Sequence, residues 1–141
     1  MTQGREDLLR TLGYSDKAIR YITEDHNFGR LADPSIDADH VGQCGDLLHM
    51  FLKLDSEGKI AEARFEHVGC MGLQASAAGL TTMVRGLTPE EAERIDVGDL
   101  VAFLGSIPQE KMDCAELARD TLRKAIAELR GRSKSAEDGP R

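Results

Sequence analysis

From Asp46 to Leu54 the apolar residues Leu48, Met50, Leu52 and Leu54 recur at every second position, the alternation of a strand that turns one face to a core. A second run, Ile60 to Val68, follows Asp55-Ser56-Glu57-Gly58. A polar turn ending in Gly, which takes a positive φ at little cost, predicts a hairpin. On the second strand Ala61, Ala63, Phe65 and His67 are expected on one flat face. A shorter strand is expected around Ser35 to Val41, after the loop that contains Gly29 and Pro34.

Elsewhere the spacing becomes helical. Residues 5–12 and 16–24 read as two short helices, with Gly13 as a stop and Ser15 as an N-cap. After Cys70, the residues Leu73, Ala77, Leu80 and Val84 form one stripe on a helix built of small side chains, which can approach a sheet closely. Thr88-Pro89-Glu90-Glu91 is a capping box with Pro at the first helical position. Asp96-Val97-Gly98-Asp99 starts another short helix that ends at Gly105, and Pro108 breaks the chain again. Asp113-Cys114-Ala115-Glu116 opens a last helix, with Leu117, Thr121, Ala125 and Leu129 inward, as far as Gly131. Helices, then strands, then helices predict an α+β fold: a small antiparallel sheet of about three strands packed against several helices. Residues 1–131 are expected to form a single domain and 132–141, polar along their length, a disordered tail.

Composition narrows the function. With 141 residues, 40% hydrophobic but only 4% aromatic and no Trp, the chain can bury one core, and that core is aliphatic. A net charge of −7 argues against nucleic acid as a partner, because phosphate contacts need clustered Lys and Arg. No apolar run approaches the ~20 residues of a membrane span, and the N-terminus lacks the order of a signal peptide. A cytoplasmic protein with no membrane partner is expected. The three cysteines cannot all pair, so they are expected to be reduced and free to bind metal.

Each cysteine adjoins a chain break: Cys44-Gly45 before a strand, Gly69-Cys70 before a helix, Asp113-Cys114 at a helix start. We read them as one site. A helix N-terminus favours thiolate over thiol at Cys70 and Cys114, and Asp46 can add an oxygen, giving a set suited to zinc or to an iron-sulfur cluster. The spacing alone does not decide this, since no Cys-x-x-Cys pair occurs and free cysteine is a common buried residue. A thiol enzyme with Cys70 or Cys114 as nucleophile, and a structural zinc domain, both stay open. His26, His40, His49 and His67 fall on no motif position.

At these residues the chain resembles the NifU/IscU-type iron-sulfur cluster scaffold family. Cys44-Gly45-Asp46 before an alternating strand resembles its first motif, Gly69-Cys70 before an Ala/Ser-rich helix its second, and Cys114 before Leu117-Ala118 and Asp120 its third. The similarity runs over residues 14–129, with Tyr14-Ser15-Asp16-Lys17, Asn27-Phe28-Gly29 and Arg85-Gly86-Leu87-Thr88-Pro89 as further matches. It implies a domain, not an enzyme, that accepts sulfur from a cysteine desulfurase, builds a transient, labile 2Fe-2S cluster and transfers it to apo iron-sulfur proteins. It further implies that Cys44, Cys70 and Cys114 are metal ligands and sulfur acceptors, and that Asp46 keeps the cluster loosely held. Lys111 matches a family lysine able to pair with Asp46 when the site is empty. Zinc is compatible with the resting state, and a zinc-binding sulfur relay is the alternative, although its insertion between the second and third cysteines is missing here.

Three segments depart from the family pattern. Asp113 stands where the family often has His, and reads either as a group of the metal site or as an N-cap in a box with Glu116. The segment that an Hsp70-type chaperone reads in many members, Leu-Pro-Pro-Val-Lys, is Ile107-Pro108-Gln109-Glu110-Lys111, which weakens the expectation of that partner. The early Asn-Pro-Arg-Asn stretch has become Asp25-His26-Asn27.

Overall fold

In the computed structural model, which describes residues 2–43 and 45–138, the expected alternation produces three strands. These are β1 (Ile36–Val41), β2 (Leu47–Leu54) and β3 (Ile60–Val68), an antiparallel sheet in the order β1-β2-β3. Leu48, Met50 and Leu52 of β2 stand between His40, Ala38 and Ile36 of β1 and His67, Phe65 and Ala63 of β3. The apolar members of this face are all buried. The hairpin turn forms with Gly58 at φ +81 and with the Asp55 carboxylate accepting from the N–H groups of Glu57 and Lys59. The register shifts between Lys53 and Leu54, which sets Leu54 opposite Ile60. An extra residue reverses the in–out parity beyond it, so Ile60 is buried and Ala61, expected on the inner face, is exposed.

The free edge of β3 is covered by Asn27–Gly29. Phe65 donates its N–H to the Asn27 carbonyl and accepts on its own carbonyl from Gly29. Asp25 and Asn27 hold positive φ values of 48° and 61°. Side chains hold this loop in place: Gln74 donates to the Asp25 carboxylate, and Asn27 to the hydroxyls of Thr81 and Thr82.

Before the sheet come α1 (Thr2–Leu12) and α2 (Asp16–Thr23); after it α3 (Met71–Met83), α4 (Pro89–Ala92), α5 (Val97–Leu104) and α6 (Met112–Asp138). Ser15 caps α2 and a capping box stands at Thr88, as the sequence predicts, and the helix expected from Asp96 begins with a second box, Asp96 with Asp99. α3 is the centre. It packs against α2, α5, α6 and β3, and Gly72 to Thr81 are buried without a gap. A single inward stripe therefore understates this helix. Because its side chains are mostly Gly, Ala and Ser, neighbours close in on every side, and α6 takes the face of the sheet beside it, on β1 and β2.

Both ends of α6 differ from expectation. Winding starts directly after Pro108, as a 3-10 turn (Gln109–Lys111) that passes into α6 with Met112 already helical at φ −61, ψ −30. Asp113 is thus the second residue of the helix, where no N-cap geometry exists, and the expected box with Glu116 does not form. At the other end the backbone stays helical to Asp138, past the stop expected at Gly131. One glycine inside a helix costs only about 1 kcal/mol relative to Ala, and no proline follows until Pro140. No helix among the described residues is long and apolar enough to cross a membrane.

The packing of α3 gives a test with an unusual sign. Replacing an interior helical Gly by Ala ordinarily stabilises by up to about 1 kcal/mol. At Gly79, however, a Cβ would lie 2.8 Å from Leu104 Cδ2 and 3.1 Å from Leu100 Cδ1. Gly79→Ala is expected to destabilise by about 1–3 kcal/mol through overpacking, read as a lower urea midpoint at unchanged slope. A higher midpoint would mean that α3 and α5 are not in close contact.

Candidate metal centre

Cys70 ends the connection from β3 and is the N-cap residue of α3, at φ −84, ψ 171. Its carbonyl accepts from the N–H groups of Leu73 and Gln74, and its thiol lies near the N–H groups of Gly72 and Leu73 without a full capping hydrogen bond. Cys114 projects from the first turn of α6 and is 6% exposed. The fold brings the two helix starts together, so that the sulfurs lie 3.4 Å apart. Asp46, just before β2, completes the group: its carboxylate and both sulfurs lie within 4.8 Å of one another. Three of the four ligands expected from the sequence therefore meet. Cys44 lies outside the described residues.

Two glycines make room for this meeting. A Cβ at Gly69 would come 2.7 Å from Asp46 Cγ, and one at Gly72 would come 3.0 Å from the Cβ, Cγ and Cδ of Lys111. The carboxylate thus lies against bare backbone ahead of α3, and the Lys111 stem lies across its first turn. The expected pairing of Lys111 with Asp46 is not formed. With its methylenes laid over Gly72, the lysine instead acts on the thiols through its charge.

The two thiols share a proton unequally. Hydrogen bonding from Cys114 brings Cys70 down to about 5 against the opposition of burial, helped by the Leu73 N–H, the Lys111 charge and the Gly72 N–H. Cys114 is pushed up by its hydrogen bond with Cys70 and by its own burial. The two thiols titrate as a pair, and the N–H groups at the start of α3 favour Cys70 as the thiolate of that pair. Tyr14 is raised to about 12, by burial first and then by Cys70, Cys114 and Glu110, and so stays a neutral phenol beside them. Burial lowers His67, against the charges of Cys70, Asp46 and Asp25.

A cleft of about 230 Å³ opens onto Cys114, with His40, Asp46, Asp113, Glu116 and Asp120 in its walls. Its carboxylates suit a cation approaching the sulfurs. Of the two readings of Asp113, the N-cap is excluded by the early start of α6, and a place in the cleft wall is observed. Two soft sulfurs and one hard oxygen at this spacing fit a tetrahedral zinc ion or an iron of a cluster. Sequence reasoning did not single out Tyr14 or His67 as site residues. For His67 a signal existed, since it shares the inward parity of Phe65 only three positions before Cys70. Tyr14 sits between two helices with no local pattern that points to the thiols.

These features belong to a known class of domain. The chain is a member of the NifU-like N terminal domain family, which it matches over residues 13–136. It is 35% identical over 120 residues to the iron-sulfur cluster assembly scaffold protein IscU 1 of Archaeoglobus fulgidus, covering 82% of this chain and 75% of that one. To the scaffold protein IscU of Escherichia coli (strain K12) it is 32% identical over 125 residues, covering 86% and 97%. The nitrogen fixation protein NifU of Trichormus azollae is 33% identical over 126 residues, covering 84% of this chain but only 42% of NifU, so the chain spans less than half of that relative. In three dimensions the fold is similar to a putative scaffold protein for the SUF system from Fervidobacterium islandicum AW-1. There the TM-score is 0.64 at 21% identity, covering 80% of this chain and 96% of the other.

Two outcomes follow from the site's geometry. A group with a depressed pKa stays ionised as pH falls until that pKa is reached, so iodoacetamide labelling of Cys70 in the reduced metal-free protein should stay nearly level from roughly pH 8 to pH 6. It should drop as pH approaches about 5, whereas an ordinary thiol would lose about tenfold per unit below its pKa. Peptide mapping separates Cys70 from the other two, and a tenfold loss per unit at Cys70 would refute the shared proton. Because Asp113 is no cap, Asp113→Ala should cost only about 0.3–1 kcal/mol, the worth of an acid in a helix's first turn. Thermal melting that reports about 2 kcal/mol, as the loss of a strong cap would, contradicts the early start of α6.

Proposed function

We propose that this chain is an iron-sulfur cluster assembly scaffold: it accepts sulfur from a cysteine desulfurase, builds a labile 2Fe-2S cluster and passes it to apo iron-sulfur proteins. The observation that supports this most is the convergence of Asp46, Cys70 and Cys114 within 4.8 Å in a member of the NifU-like family. Cys44, between β1 and β2 in the sequence, supplies the third thiolate. The cluster is cargo, and the chain's own residues account for its handling. The Cys70 thiolate is the ready nucleophile for the outer sulfur of a desulfurase persulfide, whose S–S bond breaks as the desulfurase cysteine leaves as thiolate, and the acidic cleft draws in the metal. Asp46 offers an oxygen that a soft metal site releases more readily than sulfur, which makes hand-over easy. Binding and release without turnover make the chain a carrier rather than an enzyme. Its need for reduced thiols places it in a reducing compartment such as the cytoplasm. With Ile107-Pro108-Gln109-Glu110-Lys111 in place of the chaperone-read segment, an Hsp70-type chaperone has the weakest basis among the partners.

A second reading has a specific basis: the three ligand atoms are close enough for one zinc ion, as in a zinc-binding sulfur relay or a zinc-loaded resting state. Anaerobic reconstitution with ferrous iron, cysteine, a cysteine desulfurase and dithiothreitol, the reductant that takes the desulfurase's persulfide sulfur to sulfide, separates the two. The scaffold reading expects visible sulfur-to-iron absorption with two irons and two sulfides per chain, lost in Cys44→Ser, Cys70→Ser and Cys114→Ser. Asp46→Ala should hold the cluster longer and transfer it more slowly. Stoichiometric zinc with no cluster under these conditions would establish the relay instead.

A further inference from the structure

One nitrogen beside the site has no partner. His67 Nδ1 is buried and makes no hydrogen bond with the described residues. An unsatisfied buried polar atom costs about 1–3 kcal/mol, and native proteins seldom leave one without a reason. The ring cannot turn away cheaply. Phe28 meets it edge-on, with centroids 5.7 Å apart and planes at 86°, and Phe65 lies 5.9 Å away on the same strand.

The position of His67 joins it to the thiols. It lies in the inward row of the sheet opposite Leu48, at the end where β3 runs into Gly69 and Cys70. The ionisable groups that act on it are Cys70, Asp46 and Asp25. Burial nevertheless keeps the imidazole neutral, so that one ring nitrogen carries a proton and the other a lone pair. The ring is not among the three residues whose ligand atoms lie within 4.8 Å of one another, so it is not placed as a fourth ligand to the same ion.

We propose that His67 is a positioning residue of the metal centre, whose Nδ1–H donates a hydrogen bond to the Cys70 sulfur when that sulfur is metal-bound. Such a bond draws charge from the sulfur, which strengthens retention of the bound metal and, for a cluster, makes reduction easier. The inference rests on the reading of Cys70 as a ligand. It adds a residue that the cysteine motifs do not contain.

Cobalt(II) added anaerobically to the metal-free protein provides the probe, since thiolate-to-cobalt absorption reports on the sulfur directly. His67→Phe keeps a ring and removes the donor. His67→Asn places an amide nitrogen near the position of Nδ1, and His67→Gln places it farther out. The proposal expects His67→Phe and His67→Gln to bind cobalt about 2- to 10-fold more weakly, the worth of one hydrogen bond, with the thiolate band moved to longer wavelength. His67→Asn should stay near the parent, and in the metal-free state His67→Phe, which removes the unsatisfied nitrogen, should melt no lower than the parent. A reconstituted cluster should likewise leave His67→Phe faster and show a more negative midpoint potential. Equal affinity and band position in the parent and His67→Phe overturn the proposal. So does an Asn variant that behaves like Phe, or an affinity loss that merely follows a lower melting temperature. A parent that binds cobalt as expected but builds no cluster refutes the scaffold function and leaves the hydrogen bond to be judged on cobalt alone.

Discussion

The structure depends on the burial of α3 on all sides. A helix can be enclosed this way only if its side chains are small, because every larger one pushes back a neighbour whose packing is already dense. The run Gly72 to Thr81 meets that requirement, with Gly79 taking the Leu100 and Leu104 side chains directly against its backbone. Enclosure fixes the axis of α3, and with it the position of Cys70 at its start. α6, packed on the same helix and across β1 and β2, brings Cys114 to the same point. The thiols therefore owe their contact to helices held rigidly elsewhere, which is the arrangement a site needs if its geometry is to survive loading and unloading.

The electrostatics of the centre follow from that contact. Two thiols at 3.4 Å cannot both ionise easily, so one becomes the donor and the other the acceptor. The asymmetry between them is structural. Cys70 has the N–H groups at the start of α3, while Cys114 is the more buried, and the Lys111 charge acts on both. Tyr14 and His67 bound the site with groups that stay neutral at physiological pH, while carboxylates line the side open to solvent. The charge of the site is thus concentrated where a cation enters.

Much of this was legible in the chain because it is local. Period-two alternation located β2 and β3, the capping box at Thr88 and the Asp96-Val97-Gly98-Asp99 start located α4 and α5, and the Gly-Cys-plus-small-residue pattern located the start of α3. Errors arose where a local rule was outweighed by its surroundings. Asp113 has the spacing of a cap, yet the turn that begins after Pro108 winds the chain into α6 before reaching it. Gly131 reads as a stop, yet its cost is too small to end a helix alone. Ala61 has the parity of the inner face, and the register shift at Lys53–Leu54 removes it.

The sequence by itself determined the α+β class, the inner face of β2 and most helix boundaries, because these are set by neighbours a few positions apart. Tertiary structure alone decided that Cys70 and Cys114 touch, that Lys111 lies over Gly72 rather than against Asp46, and that Tyr14 and His67 flank the thiols. Each of these rests on distances between segments far apart in the chain, fixed by how closely α3 and α6 pack, and no spacing along the sequence encodes such a distance.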